Sequence, residues 1–153
     1  MLESGAKWGM MFKGQFRHTL DSKNRLIIPV KLRDGLGESF TVTKGLDGCL
    51  SVYTEDRWES MIAKVSSIPA TKKEARMYLR MLTGNAMDVS LDSQGRIQLP
   101  QFLIKQANIT KGCVIVGVAD HVEIWSEEQW DSYEDMASES MDTDAETLTE
   151  FLQ

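Results

Sequence analysis

Asp21-Ser22-Lys23-Asn24-Arg25-Leu26-Ile27-Ile28-Pro29 decides the fold, because the chain contains it twice. It returns as Asp92-Ser93-Gln94-Gly95-Arg96-Ile97-Gln98-Leu99-Pro100. The approach is shared as well: Phe16, Thr19 and Leu20 lead into the first copy as Met87, Ser90 and Leu91 lead into the second. A second landmark repeats downstream. Val52-Tyr53-Thr54-Glu55-Asp56-Arg57-Trp58-Glu59-Ser60 matches Ile124-Trp125-Ser126-Glu127-Glu128-Gln129-Trp130-Asp131-Ser132. The first pair is offset by 71 positions and the second by 72, as a duplication with one later indel would leave it. The chain reads as two copies of one module.

The nonapeptide reads as a turn that becomes a strand. Asp21 and Ser22 carry short oxygens that bond the backbone two residues on and start a tight turn. Asn24 and Gly95 share a position, and both tolerate the left-handed conformation of a hairpin corner. Leu26-Ile27-Ile28 is an apolar, β-branched run and predicts a strand. Pro29 and Pro100 lack an amide proton, so each ends a ladder or opens a short helix. Arg25 and Arg96 fall at equivalent corners. Each can brace its turn by pairing with its own Asp. Beside Arg25 stands Lys23, where the second copy has Gln94, and this favours an anion contact for Arg25.

These residues resemble the MraZ family of bacterial transcription regulators. Asp-Ser-Lys-Asn-Arg-Leu-Ile-Ile-Pro is similar to the family's Asp-x-Lys-Gly-Arg…Ile-Pro signature, with Asn24 in place of the usual Gly. Met11-Phe12-Lys13-Gly14, His18-Thr19-Leu20-Asp21, Gly45-Leu46-Asp47 and Glu123-Ile124-Trp125 fit the same family, so the likeness runs from Met11 to about Tyr133. The resemblance implies two SpoVT-AbrB-type swapped-hairpin modules, homo-oligomeric rings and double-stranded DNA as partner. It further implies repression at direct repeats in the promoter of the division and cell-wall gene cluster, hence a cytoplasmic, nucleoid-associated protein. Carried over by position, Arg25 and Lys23 are the leading DNA contacts.

The expected architecture is mainly β with α, an α+β fold. It comprises a module over residues 15–57, linking helices over 58–85, a second module over 86–129 and an acidic tail over 130–153. Modules of about 45 residues are too small to bury adequate cores alone. They should therefore pack on each other with pseudo-twofold symmetry. Residues 1–10 lie outside the repeat and read as an extension, either an upstream start or a remnant. Cys49 and Cys113 form no CxxC, so buried, reduced thiols and a cytoplasmic setting are expected. No apolar run reaches membrane-spanning length, and Met1 to Met10 has no signal-peptide core.

The net charge of −6 argues at first against nucleic acid. Its distribution argues the other way. Residues 1–122 hold all 17 Lys and Arg with 12 acids, a balance of +5, whereas residues 123–153 hold 11 acids and no base. Lys13, Arg17, Lys23, Arg25, Lys31 and Arg33 cluster around a single acid, Asp21. Clustered base beside a segregated acidic segment fits a DNA binder, although a solvated charged face gives the same composition. On charge and proximity the candidate DNA face adds Lys13, Arg17, His18, Lys31, Arg33 and Arg96.

Val30 to Leu36 predicts a short helix stopped by Gly35 and Gly37. Phe40–Lys44 and Leu50–Tyr53 predict a hairpin around Gly45-Leu46-Asp47-Gly48. Val114–Val116 and Val122–Trp125 predict its counterpart around Gly117-Val118-Ala119-Asp120. Thr54 and Ser126 are N-caps followed by acids. Trp58 and Trp130, one turn in, should pack back on the hairpins. One long helix is expected between the modules, opened by a Thr71-Lys72-Lys73-Glu74 capping box and closed by Gly84. Its Ala75, Tyr78, Leu79 and Leu82 form an apolar face that Met77 and Met81 widen. That face is wide enough to predict a subunit contact through Tyr78, Met77, Met81 and Leu82. From Asp131 onward a frayed helix or disordered tail is expected.

Enzyme readings find little support. There are two His, His18 and His121, and no His/Cys/Asp cluster at metal-ligand spacing. GxGxxG and P-loop motifs are missing. Asp21 and Asp92 are explained by turn capping rather than as a catalytic pair. No cofactor, metal, membrane or small-molecule substrate is expected. Two functions of different class stay open: a sequence-specific DNA-binding regulator, and a structural ring or partner-binding scaffold whose basic face meets acidic protein.

Overall fold

The computed structural model describes residues 11–152, so the reading of residues 1–10 lies outside it. In order, the elements are β1 (Gln15–Thr19), β2 (Arg25–Ile27), α1 (Val30–Leu36), β3 (Ser39–Lys44), β4 (Leu50–Tyr53), α2 (Glu55–Ser66) and α3 (Lys73–Gly84). The second half follows with β5 (Met87–Ser90), β6 (Arg96–Gln98), α4 (Gln101–Gln106), β7 (Gly112–Val118), β8 (His121–Ser126), α5 (Glu127–Thr147) and α6 (Thr149–Leu152). The order repeats itself, and it is α+β as expected.

The modules are interleaved. One sheet runs β1-β7-β8-β4-β3-β5 and a two-stranded ribbon pairs β2 with β6. Each half gives its first strand to the other half's hairpin, and the two second strands pair with each other. Exchanging the halves reverses the large sheet onto itself, which is the pseudo-twofold. The registers locate its axis. Leu50 opposes Ile124 as Val52 opposes Val122, with Ser51 and Glu123 between them. Arg25 opposes Gln98 as Ile27 opposes Arg96, with Leu26 and Ile97 between them. The axis therefore passes through the Ser51–Glu123 and Leu26–Ile97 pairs.

Burial explains the interleaving. Alternation along the ribbon sends Leu26, Ile28, Ile97 and Leu99 inward, none more than 1% exposed, and leaves Arg25, Ile27, Arg96 and Gln98 outward. The inward residues meet Phe40, Val42, Val52, Ile115 and Ile124 of the sheet, and Leu32 and Leu103 of the short helices close the sides. Neither half owns this core. The sheet's other face carries a smaller cluster of Cys49, Val114 and Trp125, covered by Trp130 and Tyr133 of α5. Both thiols are free and buried, and burial pushes Cys113 up to about 11 and Cys49 higher still.

Several local expectations change. Gly35 does not stop α1; it sits under the Phe12 ring, where a Cβ would collide, and Gly37 at φ 82° ends the helix. The second hairpin is longer than predicted, since Gly117 and Val118 still pair with Val122 and His121. Its tip is held by two backbone bonds between Ala119 and Phe12. The Thr71 capping box does not form: α3 begins after Lys72, whose side chain makes no cap bond, as the chain enters through a turn closed by Lys72 N–H on the Pro69 carbonyl. At the far end the Asn85 side chain, not Gly84, donates to the Met81 carbonyl at 2.8 Å. Thr54 and Ser126 do cap, accepting from the amides of Arg57 and Gln129. Trp58 and Trp130 pack back half-buried, 6.0 Å from Tyr53 and 5.3 Å from Trp125 between ring centres.

The helices also differ in length from expectation. The linking region holds two helices of 12 residues each, α2 after the Thr54 cap and α3, the helix expected between Thr71 and Gly84. The longest is α5, 21 residues, in the segment expected to fray. It is ordered because Trp130 and Tyr133 seal the outer sheet face and Arg17 of β1 bonds Asp131. Among the described residues no helix is long and apolar enough to cross a membrane.

Candidate nucleic-acid interface

The two signature turns are built alike, bond for bond. Asp21 accepts on Oδ1 from the amides of Lys23 and Arg25 at 2.9 Å each, and on Oδ2 from Arg25 Nε at 2.7 Å. Asp92 accepts on Oδ1 from the amides of Gln94 and Arg96 at 2.8 and 2.9 Å, and on Oδ2 from Arg96 Nε at 2.8 Å. Asn24 at φ 60° and Gly95 at φ 76° turn the corners. The Arg25 amide, its guanidinium and the Lys23 amide hold the Asp21 carboxyl at about 2. Asp92 is lowered for the same reason, the Arg96 amide leading. Both aspartates are therefore ionised acceptors, not general acids.

Each turn is also fastened to the other half. The Ile28 amide donates to the Gly95 carbonyl and the Leu99 amide to the Asn24 carbonyl, both at 2.9 Å. Gln98 Nε2 donates to the Lys23 carbonyl at 2.9 Å. Arg96 Nη1 stands 3.9 Å from Asp21 Oδ2, so one carboxylate faces both arginines. Each arginine spends Nε on its own Asp, which fixes the plane of the guanidinium and leaves the Nη groups for a forked acceptor. The brace and the anion contact, posed as alternatives by the sequence, are compatible in one side chain.

Arg33 joins this cluster from α1. Its Nε donates to the Ile28 carbonyl at 2.7 Å, and its guanidinium covers Gly95, where a Cβ would collide with it. Lys23 at the first turn and Lys31 on α1 are exposed. Lys23, Arg25, Arg96 and Arg33 thus form one basic group around the ribbon, with Lys31 at its margin.

Lys13 and Arg17 do not belong to it. Lys13 lies at the other end of β1, against Gly117 of the second hairpin. Six residues of strand separate it from Thr19, about 20 Å. Arg17 points to the outer sheet face, where Asp131 at 2.7 Å and Glu127 at 3.4 Å of α5 hold it. His18 is half-buried on β1, on the side of Phe16. Leu82, expected at a subunit contact, is only 3% exposed and turns inward beneath Thr43, whose Oγ1 donates to its carbonyl at 2.7 Å. Tyr78, Met77 and Met81 are exposed.

Ile27 and Gln98 complete the outward face of the ribbon and were not singled out from the sequence. Period-two alternation alone carries that signal: each stands between two buried residues of a strand starting at the signature Arg. A two-stranded ribbon with arginines on its outer face is of a size that the DNA major groove admits, and Arg forks onto guanine there.

Comparison with known proteins gives two concordant findings. The family described as "MraZ protein, putative antitoxin-like" matches the chain twice, over residues 11–81 and 82–152. A "Transcriptional regulator MraZ" of Ligilactobacillus salivarius (strain UCC118) is 45% identical over 141 residues, covering 92% of this chain and 99% of that protein.

Proposed function

This chain belongs to the MraZ family, and from that premise we propose that it is a transcription regulator, not an enzyme, that binds double-stranded DNA through the β2–β6 ribbon. One observation supports this reading above the others. Lys23, Arg25, Arg96 and Arg33 converge on an exposed ribbon although the chain as a whole is acidic. Arg25 and Arg96 read bases, Arg33 and Lys31 meet phosphates, and Lys23 does either at the tip of the first turn. The target is a set of direct repeats in the promoter of the division and cell-wall gene cluster, where binding represses transcription on the nucleoid in the cytoplasm.

The binding unit is a homo-oligomer, a ring built from identical subunits. The outer face of a six-residue ribbon is smaller than a typical DNA-binding module, which buries about 600–1,000 Å². One subunit therefore binds weakly. A second subunit on the same assembly makes the next contact intramolecular, and avidity raises affinity by about 10²–10⁴. Gel retardation tests both parts. A promoter fragment with several repeats at native spacing should shift at far lower protein concentration than one with a single repeat, and the shift should weaken with salt. No shift at low salt leaves the scaffold reading. Equal affinity for one and several repeats removes the multivalent one.

A further inference from the structure

The apolar face of α5 is longer than the surface it covers. Trp130, Tyr133 and Ala137 follow one another at helical spacing, and the two aromatics lie against Trp125. The same face continues beyond the body with Met141, 71% exposed, and reaches the helix cap at Leu148, 47% exposed; Phe151 in α6 is 74% exposed. Every residue from Met141 to Leu152 is exposed. An amphipathic helix face of this kind is stable when something covers it. The ten residues of α5 after Ala137 form an arm of about 15 Å. Its charge has one sign: Glu139, Asp142, Asp144 and Glu146, with no base.

The complementary surface is on α3. Ala75, Leu79 and Leu82 turn this helix inward, which leaves Lys73, Met77, Arg80 and Met81 along its outer face. Met77 and Met81 are each 53% exposed. Lys73 and Arg80 have no ion-pair partner among the described residues. Unbranched methionines adapt to an incoming apolar edge. One surface is apolar with an acidic border and the other apolar with a basic border, and within one chain both are uncovered.

We propose that the α5 arm of one copy lies along α3 of the next, placing Met141 against Met77 and Met81 and its acids against Lys73 and Arg80. The arm and the helix that receives it are different patches, and each copy passes its arm to the next rather than back to its donor, so the contact is head-to-tail, the kind that closes into rings or extends into filaments. The inference rests on the homo-oligomer reading above and specifies its interface.

A charge-swap experiment tests it on the full chain. Light scattering should show wild-type protein as a multiple of one chain. K73E/R80E should fall to a single chain, because acidic arm meets acidic helix. D142K/D144K/E146K should fall likewise, because an arm left with three lysines against Glu139 is basic and meets basic helix. Mixing the two variants should restore the assembly, since each arm then finds an opposite charge. Unchanged circular dichroism and Trp fluorescence show that the variants fold. Wild-type protein found as a single chain overturns the homo-oligomer reading itself. Variants that keep the wild-type mass, or a mixture that stays dissociated, overturn this interface alone. A chain ending at Ala137 that keeps its mass but binds DNA more tightly also overturns it, placing the arm over the basic ribbon instead.

Discussion

The two signature turns share one frame of hydrogen bonds and differ in the charges set on it. In both, the Asp accepts from two amides and from its Arg. Around the first stand Lys23 and the exposed start of α1; around the second, Gln94. Arg33 narrows this difference by crossing from the first half to cover Gly95 of the second turn. Its counterpart by the repeat is Ile104, 5% exposed in the core, so no guanidinium returns. Folding needs the frame twice, because each turn anchors the other half's strand. The charges carry no such duty, and they are where the copies differ.

The largest effect is expected at Arg25. Arg25→Ala should weaken specific promoter binding by about 1–3 kcal/mol per contact, roughly 5–150-fold, repeated at every engaged subunit, while mass and circular dichroism stay unchanged. Gel retardation and light scattering on the same preparation check it. Next comes stability at the crossing point. Gly95→Ala should cost about 1–2 kcal/mol for its left-handed backbone alone, and it also displaces Arg33. Asn24→Ala should cost less, losing a bond to Gln101 Oε1 on an exposed surface. Urea melts of the pair decide whether the Arg33 contact matters; equal losses say it does not.

Arg96→Ala should reduce DNA binding less than Arg25→Ala, because Arg33 remains over Gly95 to hold the second turn and Gln94 stands there in place of Lys23. Equal losses at the two arginines would break the comparison. The smallest effect is in acid. Asp21 titrates at about 2 against an ordinary 3.8, and Asp92 is also depressed. A depressed carboxyl stabilises the fold fully above its unfolded value, and that contribution disappears as pH falls through the folded one. Both turns should therefore stay braced at pH 4 and loosen between about 3.8 and 2. Carboxyl resonances followed by NMR titration should place Asp21 well below the ordinary carboxylate range, held there first by the Arg25 amide. An ordinary value for Asp21 would show the brace to be open in solution.

Much of this was legible in the sequence because it is local. The turns, the caps at Thr54 and Ser126, the first hairpin and the left-handed Asn24 depend on bonds spanning a few residues. The positions of Arg25, Lys23 and Arg96 at the corners were legible because they are fixed in a repeated turn. Ile27 and Gln98 were harder, since three-residue strands give alternation too little length to register.

By itself, then, the sequence determined two copies of a turn–strand unit, their helices and a basic first half. Tertiary structure decided which strands pair across the halves, because a small module leaves one face of its hairpin wet until the other half's first strand and ribbon arrive. It also decided which bases gather. Lys13 and Arg17 are neighbours of the signature along the chain, yet an extended strand carries one to its far end and alternation turns the other to the opposite face. The fate of the acidic segment was settled the same way. Its charge favours disorder, but Trp130 and Tyr133 find an uncovered sheet face in Cys49, Val114 and Trp125, and apolar burial there outweighs the repulsion along α5.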